Sequence, residues 1–133
     1  MALAKSIHHV SVQITDLARA RRFYEGVLGL VPIERPDFGF PGVWYGLGAL
    51  QVHLIGEVPG MARATPPEAL SPVATHLAFE IEDYAATLRK LEQMNVETFA
   101  LGGKVGQIFV RDPDGNVIEL IAPGGTPTGT SSN

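Results

Sequence analysis

The chain has 133 residues, 45% of them hydrophobic and 18% charged, which is enough for one compact domain with a real core and excludes wholesale disorder. Its formal net charge of −4 argues against nucleic acid or an anionic membrane as a partner, because both require a basic surface. With no cysteine, disulfides, thiolate nucleophiles and thiolate metal ligands are excluded, which leaves histidine and carboxylate as the strong ligands.

The N-terminal residues lack the long apolar stretch of a secretion signal, and no run approaches the ~18 apolar residues of a membrane helix. The expected location is the cytoplasm. The small basic cluster Arg19, Arg21 and Arg22 reads as a solvated helix face.

Residues 7–16, IHHVSVQITD, alternate β-branched with polar side chains and predict a strand that stops at Asp16, a residue suited to cap a helix. The following helix, near 17–28, gathers Leu17, Ala20, Phe23, Tyr24, Val27 and Leu28 on one stripe. Gly29 can close it in the left-handed conformation. Strand-like runs then occupy 31–34, 43–46 and 50–55, with the aromatic, glycine-bearing loop RPDFGFPG at 35–42. From Glu57 to Pro72 the chain is rich in Pro, Gly and Ala, which predicts an exposed linker.

Residues 75–83, THLAFEIED, repeat the opening pattern. His9 stands seven residues ahead of Asp16, and His76 stands seven ahead of Asp83. The repeat therefore selects His9 over His8, which is expected to be structural or exposed. A second helix, near 84–94, uses Tyr84, Leu88, Leu91 and Met94, with Asn95 to close it. Strands follow at 96–99, 107–111 and 117–121, the last two joined by the turn DPDGN at 112–116, where Pro presets a dihedral and Gly accepts positive φ. The tail from Pro123 to Asn133 reads as frayed. The whole is an α+β domain, 1–133, of two βαβββ modules at 6–56 and 73–122.

Alternation along strands places candidate ligands together. If Val10, Val12 and Ile14 face the helix, His9, Ser11 and Gln13 face away. By the same logic His53 opposes Val52 and Leu54, His76 and Glu80 oppose Leu77 and Phe79, and Glu119 opposes Ile118 and Leu120. Each module thus offers a pair, His9 with His53 and His76 with Glu119, at equivalent positions. Two copies facing each other would converge all four on one metal cleft. Three imidazoles and one carboxylate suit Zn, Ni, Fe(II), Co or Mn and disfavour Ca and Mg. The competing assignments are a merely hydrogen-bonded His53, a Glu119 salt-bridged to Arg111, and a Glu80 that is only a rim charge. Trp44, Tyr45, Phe109 and the 35–42 loop are expected around the cleft mouth, the loop as a lid over an apolar substrate.

From about Ile7 to Ala122 the chain resembles the vicinal oxygen chelate superfamily, which includes glyoxalase I, bleomycin-resistance proteins and extradiol dioxygenases. The resemblance rests on IHHV at 7–10 with Asp16, RFYEGVLGL at 22–30, THLAFEIED at 75–83 and FVRDPDGNVIEL at 109–120. It implies a curved mixed sheet around the metal, helices outside, and a homodimer. It also implies an enzyme that binds a small molecule through vicinal oxygens, a glyoxalase I-like lyase or isomerase with Glu119 as base and Glu80 as second candidate. An extradiol-type Fe(II) dioxygenase and a non-enzymatic bleomycin-resistance-like binder are the alternatives. His53 departs from the Glu or Gln that glyoxalase I usually carries there.

Overall fold

The computed structural model describes residues 2–123, so the predicted tail lies, beyond Pro123, outside the described residues. The chain divides into two compact units, Met1–Thr65 and Pro66–Asn133. Among the described residues no helix is long and apolar enough to cross a membrane.

In the first unit the elements run β1 (His9–Gln13), α1 (Leu17–Arg21), β2 (Pro32–Ile33), β3 (Gly42–Leu47) and β4 (Leu50–Ile55). The second unit runs β5 (Leu77–Glu80), α2 (Tyr84–Gln93), β6 (Thr98–Ala100), β7 (Gln107–Arg111) and β8 (Val117–Ile121). Each unit is βαβββ and builds its own four-stranded mixed sheet, in the orders β1-β4-β3-β2 and β5-β8-β7-β6. First and fourth strands pair in parallel and the others antiparallel. The internal repeat is therefore a repeat of topology as well as of sequence.

Local chemistry sets the helix ends. Asp16 accepts a hydrogen bond from the Arg19 amide at 2.9 Å, and Asp83 accepts from the Ala86 amide at 3.0 Å. Each such cap contributes about 1 kcal/mol. Gly29 and Asn95 close their helices at φ 78° and 58°. The first helix departs from the expected single α-helix: after Arg21 it continues as a π-helical turn, Arg22–Val27. The wider turn buries both Phe23 and Tyr24 and directs Glu25 at the Tyr45 hydroxyl, 2.9 Å away. Arg21 holds the same carboxylate at 2.6 Å. Burial, and then the Glu25 charge, push the Tyr45 hydroxyl far above the usual phenol range, so it remains a donor.

The packed side of the first sheet carries Val12, Val43, Tyr45, Val52 and Leu54, and Tyr24 stacks on Tyr45 with centroids 6.2 Å apart. The second packs Ile108, Val110, Ile118 and Leu120, all buried with Tyr84 and Leu91 of α2. Fully burying such a side chain stabilises the fold by about 1.5–3 kcal/mol. One expected core position is outside it: Met94, at the end of α2, is 42% exposed.

The proline-rich connection is anchored near its middle. Arg63 donates to the Ile14 carbonyl at 2.7 Å, and Gln13 makes a two-way amide bridge to Ala64. In the second unit Arg111 donates to the carbonyls of Pro67 and Glu68 at 2.9 and 2.6 Å and to Gly115 at 2.7 Å.

Candidate metal centre

Strand register gives the two units the same arrangement of polar side chains. In the first, Ser11 pairs with His53, and His9 lies two residues before Ser11. In the second, Ala78 pairs with Glu119, and His76 lies two residues before Ala78. Side chains two apart on a strand share a face. So His9 corresponds to His76 and His53 to Glu119. On the neighbouring strand, Trp44 opposes His53 and Phe109 opposes Glu119, placing an aromatic ring beside each fourth-strand donor.

In the second unit Glu119 is only 6% exposed, and a buried carboxylate is stable only with partners. Its Oε1 lies 2.8 Å from the Nε2 of His76, and its Oε2 accepts from the side-chain amide of Gln107 at 2.8 Å. The Nδ1 of His76 is 2.6 Å from the Ala74 carbonyl. A carbonyl oxygen only accepts, so Nδ1 carries the hydrogen. The Nε2 then faces the carboxylate either with a second proton or with a lone pair that shares a cation with Oε1. Phe109, fully buried, sets its ring edge-to-face against His76 at 5.1 Å.

In the first unit His53, also 6% exposed, is stacked between two rings, Trp44 and His9, each with its centroid 4.1 Å away. Its Nε2 donates to the Gln51 side-chain oxygen at 2.8 Å, which leaves the Nδ1 lone pair available. Burial first, then the charges of His9, His8 and Arg35, hold the His53 imidazole below its ordinary pKa. The neutral form is the one that binds a metal. His9 is exposed, with its Nδ1 2.9 Å from that of the exposed His8.

The donor chemistry fits a divalent transition metal. His76 has the backbone-anchored Nδ1–H typical of a metal-bound imidazole, its Nε2 lies 2.8 Å from a buried carboxylate oxygen, and burial favours the neutral form of His53. The described residues hold these donors as two pairs, one per unit, and no group of three or more metal-capable side chains is gathered among them.

Two expected neighbours are placed differently. Tyr45 is not on the open face but fully buried, because it alternates with Trp44. Arg111 does not pair with Glu119; its donors go to three backbone carbonyls. Glu80 keeps the face expected of it and is exposed, opposite Ile121. Gln107, which holds the second oxygen of Glu119, was not picked out by the sequence patterns, although hairpin register around the 112–116 turn places it diagonal to Glu119.

The depressed His53 pKa has a measurable consequence. A neutral-preferring histidine binds its proton less readily when folded, so its contribution to stability is present above the unfolded value of ~6.5 and is lost as pH falls below it. The urea midpoint of metal-free protein should fall from about pH 7 to about pH 5, and His53→Gln should flatten part of that slope. Equal slopes in the two proteins would contradict this assignment.

The model of the Glyoxalase/Bleomycin resistance protein/Dioxygenase superfamily matches residues 6–120. The chain is 32% identical over 121 residues to "Glyoxylase I 4" of Arabidopsis thaliana, covering 86% of this chain and 69% of that protein. It is 30% identical over 121 residues to the lactoylglutathione lyase of Escherichia coli O157:H7, covering 85% and 89%. The crystal structure of lactoylglutathione lyase from Agrobacterium tumefaciens superposes with a TM-score of 0.66 at 19% identity, covering 92% of this chain and 97% of that one; at that identity the likeness speaks for the fold.

Proposed function

Because the chain belongs to the glyoxalase/bleomycin resistance protein/dioxygenase superfamily, we propose that it is a cytoplasmic, metal-dependent lyase or isomerase of glyoxalase type acting on a small molecule with two adjacent oxygens. The observation that carries this reading is the His76–Glu119 pair, in which a carbonyl-anchored imidazole turns its second nitrogen to a buried carboxylate. His9 and His53 of the first unit and His76 and Glu119 of the second would supply the donors for a divalent cation, Zn, Ni, Fe(II), Co or Mn. When bound, such a cation polarises a carbonyl and favours negative charge developing on adjacent oxygens.

The chain's own residues supply the rest. Glu119 takes a proton from one carbon and returns it to the neighbouring one. Gln107 steadies Oε2 by donating to it, which aims the carboxylate during that transfer. Glu80, on the same side of the sheet, is the second candidate base. Phe109 and Trp44 line the donors with apolar surface and limit water.

The test is metal analysis followed by turnover. Purified protein offered Zn, Ni, Fe(II), Co and Mn should take up about one ion per chain and scatter light as a homodimer. The loaded protein should turn over the hemithioacetal of methylglyoxal. No uptake of any of these metals overturns the reading, and oxygen consumption with a catechol panel in place of lyase turnover would move it to the dioxygenase branch.

A further inference from the structure

The open face of the first sheet carries a cation that the proton-transfer chemistry does not use. Arg35, in the loop before β3, is partly buried. Its guanidinium carbon lies 5.1 Å from the ring centre of Phe38 and 5.2 Å from that of Phe40, and one Nη2 donates to the Phe40 carbonyl at 3.0 Å. The guanidinium rests against Gly42, where an added Cβ would sit 2.8 Å from Nη2 and 2.6 Å from the Leu54 carbonyl oxygen. Gly42, Trp44, His53 and His9 share that face by strand register. Phe38, half exposed, approaches Trp44 at 5.9 Å, and Trp44 stacks on His53.

A guanidinium has five N–H donors, of which the loop uses one. Among the described residues no carboxylate lies within ion-pair distance of Arg35. Asp37, two residues on, accepts instead from the Gly39 amide at 2.9 Å. The two phenyl faces hold the charge by cation–π attraction and leave the edge of the guanidinium, with its remaining N–H donors, to form charge-assisted bonds to an arriving anion. One planar, singly charged cation matches one planar carboxylate through two parallel N–H bonds. A dianionic phosphate would leave a charge uncompensated among the rings.

We propose that Arg35 is the anion-binding residue of this site, so that the substrate is a small organic acid whose carboxylate meets Arg35 and whose apolar or aryl part lies along Phe38 and Trp44. This rests on the reading above that His53 and His9 belong to the reacting site. It adds a substrate class and a specificity-determining residue.

Trp44 is the single tryptophan of the chain, so intrinsic fluorescence reports on this face. The Zn-incubated protein is titrated with phenylpyruvate, with its methyl ester and with inorganic phosphate, and the Zn content of the same sample is measured. Phenylpyruvate should quench with a Kd about tenfold or more below that of the ester, the advantage shrinking with added salt. Arg35→Gln should erase the acid-over-ester preference while leaving ester affinity within about twofold, and Arg35→Lys should keep part of it. If Arg35 is only a loop staple, Arg35→Gln weakens acid and ester alike, which overturns the proposal. Equal wild-type affinity for acid and ester, no quenching by phenylpyruvate, or tighter binding of phosphate overturns it without any variant. Acid preference in protein that takes up no zinc would keep Arg35 as the anion site and count against the metal reading, whereas zinc uptake without acid preference would do the reverse.

Discussion

Replacing Glu119 with Gln is expected to lower turnover by about two to four orders of magnitude, the usual worth of a positioned base, with the fold retained. The substitution keeps size and shape. The new amide can still accept from Gln107 and can donate to the Nε2 of a neutral His76, replacing contacts that are both 2.8 Å in the native site. Stability should therefore shift by no more than about 1 kcal/mol. What is lost is the negative charge and the proton affinity, so metal content should fall along with the rate. Elemental analysis and turnover on the same preparation read both. Native metal content with a native rate would remove Glu119 from the site and return β8 to a packing role.

Phe109→Ala should be the most destabilising single change near the site, costing about 3–5 kcal/mol. Phe109 is fully buried, lies opposite Glu119 in the β7–β8 pairing, and touches both Phe99 and His76 through its ring. Truncation leaves a cavity under the His76–Glu119 pair as well as lost transfer energy. Urea denaturation should show a lower midpoint with an unchanged slope, while Phe109→Leu, which keeps most of the volume, should cost less than about 1.5 kcal/mol. Metal retention should follow the same order, because the imidazole loses the ring that holds its plane. A Phe109→Ala cost below about 1 kcal/mol would mean that the site tolerates collapse and that the ring is not its support.

Much of this was legible in the chain because the deciding forces act over a few residues. Asp16 and Asp83 cap helices through amides three residues ahead, and Gly29, Asn95 and the 112–116 turn are set by backbone dihedrals and short hydrogen bonds. Strand alternation has a strict period of two, so it was enough to pair His9 with His53 and His76 with Glu119 once the repeat register was known. Those pairings depend on periodicity, which the sequence carries without reference to any partner.

Tertiary structure decided the features that depend on groups distant along the chain. Whether the first helix stays α or widens to a π turn is a matter of what Tyr24 and Glu25 meet, and Tyr45 meets both from twenty residues beyond Glu25. Arg111 had a carboxylate within easy sequence reach at Glu119, yet the linker carbonyls of Pro67 and Glu68 take its donors. A guanidinium has more N–H groups than one neighbour satisfies, and its choice among them is made by packing. Gln107 on Glu119 and Arg35 against Gly42 are of the same kind. They are side-chain contacts between segments that composition and period treat as independent, and only the folded sheet brings their atoms within hydrogen-bonding or van der Waals distance.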